Sequence, residues 1–382
     1  MTIKPHSSDT GTEVCPQEVV AESNDERRRR WAHLLRYHHY EPVIFDVLSD
    51  ELPKYTGSRA IDPTDVVTHM RECALILASA PRIFFAAVEG NLVSSVIKDA
   101  DLQAECAVVQ QRAQHQPSIY IHLLADEKGH APSPEQYLMI RDMIQDYISE
   151  RPFDQAHQVD NVTSPFVPLS TSTQGYRKYL STPAANRSPK RIITLSRLIT
   201  GITTRCSQIS VQLHNTPLPY PPSEVGYALN AHKRLAQHRA HQSSNYVMNL
   251  VEDVCTYLYR SKVLAQHFKM HQHIIYLIFR PRQAAIAEIF CSGLLQCWVE
   301  GGGFNAFPAG RSVASSWKVA SEEWEDHMKI AREVGLFEGK MRVLKERAVA
   351  WNKALDWKGD GEEMNAMDSV QDEHEMEGAA KA

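Results

Sequence analysis

No run of apolar residues in this chain is long enough to cross a membrane, which takes about 18 residues. The longest candidate, residues 274–279, has only the length of a strand. The first residues, Met1-Thr2-Ile3-Lys4-Pro5, carry no apolar h-region. No signal peptide is therefore expected, and the expected location is intracellular, cytoplasm or nucleus. Paired cysteines are also missing. The seven cysteines (Cys15, Cys73, Cys106, Cys206, Cys255, Cys291, Cys297) are odd in number and form no CxxC. That excludes a disulfide framework and a zinc ribbon, and Cys291 and Cys297 read as buried thiols. A large positive surplus is absent as well. The net charge is −5, but residues 359–382 hold eight acids and one lysine, −7 in all, so the rest stands near +2. Such a body can carry local basic patches but is not a strongly cationic nucleic-acid coat.

What is present suffices for a globular protein. Hydrophobic residues make up 43% of the 382, enough for a sizeable core and two or three domains at roughly 150 residues each. Residues 1–26 are polar and read as disordered. Residues 27–151 read as a mainly helical N-terminal region with a strand near 118–124. The run Arg27-Arg28-Arg29-Arg30 in it is either a nuclear-import or phosphate patch or a solvated first helical turn. Residues 152–190, rich in Ser, Thr and Pro, read as a linker or insertion. Strand alternation is expected at residues 209–213, and a third strand at 274–279. Helices are expected at residues 192–202, 246–266 and 284–298, the last apolar almost all round and therefore central. Residues 311–358 read as C-terminal helices broken near Gly335, and 359–382 as an acidic disordered tail.

The chemistry gathers at Glu224-Val225-Gly226, which reads as a strand end and tight turn leading into a basic helix. Asn230 is the expected N-cap of that helix, on which Arg234 and His238, four apart, share a face. A cation beside an imidazole near a helix start suits an anion such as phosphate. Glu288 lies in an apolar helix, where an unpaired carboxylate is costly, so it needs Arg234 or a metal as partner. Asn305, after Gly301-Gly302-Gly303, is either a cap or a site residue. His232, His238 and His241 have no zinc spacing with any cysteine, and His241 reads as surface.

Taken together, these residues resemble the second half of the GIY-YIG nuclease signature over residues 206–310. Gly226 stands at the Gly of the YIG element, with Arg234 eight residues later and His238 four beyond it; Glu288 and Asn305 follow at compatible offsets. The tight stretch at residues 243–250 and the glycine turn are similar to degenerate GIY-YIG-like domains of filamentous fungi. The resemblance implies an α/β (α+β) fold: a small three-stranded sheet flanked by helices. It implies that Arg234 and His238 face a phosphate, that Glu288 holds Mg²⁺, and that Lys233, Arg239 and Asn305 contact DNA or RNA. It departs at one tyrosine, whose place Glu224 takes as a base or second metal ligand. Two stretches can supply the first motif. The preferred one is residues 209–213, through a short proline-rich hairpin, which puts Val211 at the other tyrosine. The alternative is Ser118-Ile119-Tyr120, which restores a tyrosine but needs an insertion of about 100 residues. The alternative function is a catalytically inactive relative serving as an interaction scaffold.

Overall fold

The computed structural model describes residues 22–58, 60–150, 154–163, 175–242, 245–310, 313–333, 337–343 and 345–346. Of the disorder expected over residues 1–26, residues 1–21 lie outside the described residues, as do the acidic tail, Ser243, Ser244 and the break near Gly335, whereas residues 24–26 are already helical behind a Ser23 cap. No helix among the described residues is long and apolar enough to cross a membrane.

The described chain is mixed α/β, with many helices around one small antiparallel sheet. It begins with α1 (Asn24–Arg36), α2 (Tyr40–Glu51), α3 (Val66–Ser79), α4 (Arg82–Val88), α5 (Leu92–Lys98) and α6 (Ala100–Arg112). Strand β1 (Ser118–Ala125) follows, then α7 (Pro134–Ile148), α8 (Asp154–Asp160) and α9 (Pro189–Ser207). The remaining elements are β2 (Ser223–Ala228), α10 (Ala231–Arg239), α11 (Tyr246–Arg260), β3 (Lys269–Leu277), α12 (Gln283–Leu294) and α13 (Ser321–Glu333). Local chemistry marks the helix starts. Ser23 and Glu26 form a capping box on α1, and Ser133 and Gln136 form one on α7. The side chains of Asn230 and Asn245 accept from the first-turn N–H groups of Lys233 and Met248.

The sheet order is β2-β1-β3, so β1 is the middle strand. This corrects the preferred assignment of residues 209–213. Val211–Leu213 is a single 3₁₀ turn, and Val211 and Leu213 lie exposed at 76% and 52%. Alternation without a buried face has nothing to pair with. Strand β1, buried along its whole length, takes the central place instead. It pairs with β2 across the excursion through α7–α9.

Other boundaries move for similar reasons. Strand β3 starts five residues before 274, because its first half, Lys269-Met270-His271-Gln272-His273, is polar and does not read as an apolar run. Helix α11 ends at Arg260 rather than near 266, where the chain turns through Lys262 at φ 61°. Helix α12 stops at Leu294, and α9 runs to 19 residues.

Side chains of β1 alternate between two faces. Ile119, Ile121 and Leu123 join Val225, Tyr227 and Ile275 in a core that also takes Trp31, Val43 and Val47 from α1–α2 and Ile286 and Phe290 from α12. The N-terminal helices therefore share one core with the sheet. On the other face, Leu124 and Met270 pack with α7, α9 and α11, while Tyr120 packs with Ile274 and Leu235. The arginine run is absorbed into this packing. Arg27 pairs with Asp50, Arg30 with Asp46 and Glu22, and buried Arg28 donates to the Ala87 carbonyl and stacks 4.1 Å from the Tyr220 ring centre.

Candidate functional site

Across the β1–β2 pair, Tyr120 stands opposite Gly226 and His122 opposite Glu224. Period two puts all four on the face turned towards α10. The pairing of β1 with β3 slips at Ile119/Tyr120, a bulge beside the tyrosine. The tyrosine ring leans across the glycine. A Cβ at position 226 would come within 2.5 Å of the ring carbon bearing the hydroxyl. Only glycine leaves room there.

Helix α10 delivers two partners to the same hydroxyl, as the four-residue spacing requires. Arg234 Nε lies 3.4 Å from the Tyr120 oxygen and His238 Nε2 lies 3.3 Å from it. Burial, reinforced by Glu224, pushes the Tyr120 phenol far above its ordinary range, so it stays protonated. Burial pushes His238 down to about 4, so its imidazole is neutral near pH 7. The hydroxyl accepts from the Arg234 N–H and shares a second hydrogen bond with His238. For Arg234, burial lowers the pKa, but Tyr120, Glu224 and Glu288 outweigh it and the net shift is upward. Among the described residues, no hydrogen bond occupies the two terminal nitrogens of this half-buried guanidinium.

Glu224 is 7% exposed, and its Oε2 accepts from His122 Nδ1 at 2.6 Å. Burial pushes its carboxyl up, but His122 first, then His238 and Arg234, bring it below the usual range. Glu288, on α12, is held by backbone rather than by Arg234. Its Oε2 accepts from Gly310 N–H at 2.7 Å, and the Tyr227 N–H also supports it. Burial first, with Glu224 adding to it, outweighs the lowering by those N–H groups and Arg234, and its pKa is raised to about 7. This is a carboxylate short of positive charge. A divalent ion would supply it, and one carboxylate with waters and a phosphate is the usual Mg²⁺ set.

Arg234, His238 and Glu224 thus gather around Tyr120, with Glu288 in electrostatic reach. Asn305 has a different task at the same place. Its Oδ1 accepts from the Val225 N–H at 3.0 Å and its Nδ2 donates to the Val225 carbonyl at 2.9 Å, standing in for a missing neighbour strand along β2. Lys233 is exposed on α10, and exposed Arg239 reaches Gln272 on β3. His241, expected at the surface, is a correction. Its side chain is 5% exposed and sits between Glu252 and Asp253, because φ 52° at this residue turns it inward. His122 escaped sequence reading. The available signal was its place two residues after Tyr120, on the same face of a strand.

The chain matches no family model, no curated protein and no solved structure.

Proposed function

We propose that this is a GIY-YIG-like site for a nucleic-acid phosphodiester, DNA or RNA, working with Mg²⁺ on Glu288. The observation that carries the reading is the convergence of Arg234 and His238 on the Tyr120 hydroxyl over Gly226. The open fork of Arg234 suits a phosphate, which it can grip with two parallel N–H bonds. Neutral His238 can take the phenol proton as a water beside Tyr120 gives up its own, which is general-base chemistry through a hydroxyl. Glu288 would hold the cation, which supplies Lewis-acid stabilisation of the phosphate charge.

One observation favours a second reading, an inactive relative that binds without turnover. Glu224, tied to buried His122, occupies the place of the family's other tyrosine. The test is cleavage of end-labelled single-stranded, duplex and branched DNA, and of RNA, with and without Mg²⁺. Mg²⁺-dependent products that disappear with Arg234→Ala and with Glu288→Gln are expected. Cleavage indifferent to both substitutions would contradict the assignment. Binding without cleavage would select the second reading.

A further inference from the structure

Beside the Tyr120 hydroxyl lies a cluster that the phosphodiester reading does not need as a unit: His122 on β1, Glu224 on β2 and His238 on α10. One ligand-type atom from each lies within 4.8 Å of the other two. The residues are 0%, 7% and 1% exposed, so water contributes little to their hydrogen bonding. Buried imidazoles normally satisfy both nitrogens. Here each ring satisfies one. His122 Nδ1 is held by Glu224 and His238 Nε2 by the Tyr120 hydroxyl, while His122 Nε2 and His238 Nδ1 have no hydrogen-bond partner. The ring centres are 4.6 Å apart. The cluster thus leaves ring nitrogens unsatisfied in the same buried place where three ligand-type atoms converge.

We infer that His122, Glu224 and His238 form a binding site for Zn²⁺ or a similar first-row divalent ion, with a coordination position left for water. Two imidazoles, one carboxylate and no thiol suit such an ion, whereas Mg²⁺ takes oxygen ligands. A tetrahedral ion with bonds of about 2.0–2.1 Å holds its ligand atoms about 3.3 Å apart. The ligand atoms, within 4.8 Å of one another, therefore close by up to about 1.5 Å when the ion enters. Glu288 lies outside the group, so the two metal assignments are separable. This inference does not rest on the phosphodiester reading, and its readouts need no turnover.

The test titrates the full chain, stripped by a chelator, with Co²⁺, and then adds Zn²⁺ or Mg²⁺ as competitors. A single equivalent of Co²⁺ with visible absorption is expected, displaced by Zn²⁺ and not by Mg²⁺. His122→Asn and Glu224→Gln should each weaken Co²⁺ binding by at least about 100-fold, beyond what loss of an outer partner costs. Glu288→Gln should leave the affinity and spectrum unchanged. Far-UV circular dichroism checks each variant's fold, and His238→Gln replaces any variant that fails to fold. Substoichiometric Co²⁺ in the wild type overturns the inference without any variant. So does unchanged affinity in folded ligand variants, or loss of the spectrum on Glu288→Gln.

Discussion

Gly226 and Tyr120 are paired across β1 and β2, and the glycine exists at that position because the tyrosine ring occupies the space a side chain would take. The hydroxyl that reaches over it is the point on which Arg234 and His238 meet. The geometry of the candidate site thus depends on a missing Cβ as much as on the polar groups.

Gly226→Ala should cost about 1–3 kcal/mol of stability, the range for overpacking a filled core. In a Tyr120→Val background, where the ring is gone, most of that cost should vanish. A double-mutant cycle from urea denaturation measures the coupling. An equal cost in both backgrounds would mean that the ring does not press on residue 226.

Asn305→Ala should strip two buried hydrogen bonds from Val225, at about 1–3 kcal/mol for each group left unpaired. Asn305→Asp should also destabilise, because a carboxylate cannot donate to the Val225 carbonyl. Urea midpoints for both variants check this, and wild-type stability in either would remove the strand-completing role.

The arginine run should divide by position rather than act as one patch. Arg28→Ala removes a buried guanidinium stacked on Tyr220 and should cost about 1–3 kcal/mol. Arg29→Ala, on the exposed side, should stay within about 0.5 kcal/mol of wild type. Thermal melts of the two variants make the comparison. Equal effects would contradict the structural account of the run.

Stability should fall in mild acid through His273. Burial first, then the nearby His271 and His122, lowers its pKa to about 4 in the folded chain, against about 6.5 unfolded. A depressed histidine contributes stability that is full above the unfolded pKa. That contribution is lost as pH falls from about 6.5 towards 4, where the unfolded chain binds the extra proton. The shift corresponds to something on the order of 3 kcal/mol. Urea midpoints between pH 7 and 4.5 should fall less steeply for His273→Gln than for wild type. Parallel profiles would count against it.

The site's legibility in the sequence divides along the chain. Arg234 and His238 were readable because a four-residue helical spacing is local, whereas Gly226, expected at a tight turn, lies inside β2, where the Tyr120 ring across the sheet is what requires glycine. The N-cap Asn230 was readable because its signal is local too. The middle strand was not settled locally. Residues 209–213 and 118–124 both alternate, and the shorter loop favoured the wrong one. Burial decides between them, and burial depends on α1–α6 packing against the same sheet. The tie between Asn305 and Val225 is non-local too, linking residues 80 apart. His122 was hidden because its partner Glu224 lies 102 residues away, across the excursion through α7–α9.

The central claim is that a nucleic-acid phosphodiester sits against Arg234, and equilibrium binding tests it more directly than turnover, which adds the demands of chemistry. The measurement is fluorescence anisotropy of labelled DNA and RNA oligonucleotides in EDTA across a NaCl series, for wild type and Arg234→Ala. The account predicts affinity that falls steeply with salt, and weaker binding by Arg234→Ala with a salt slope smaller by about 1. No affinity for any oligonucleotide, or identical isotherms for the two proteins, would contradict it.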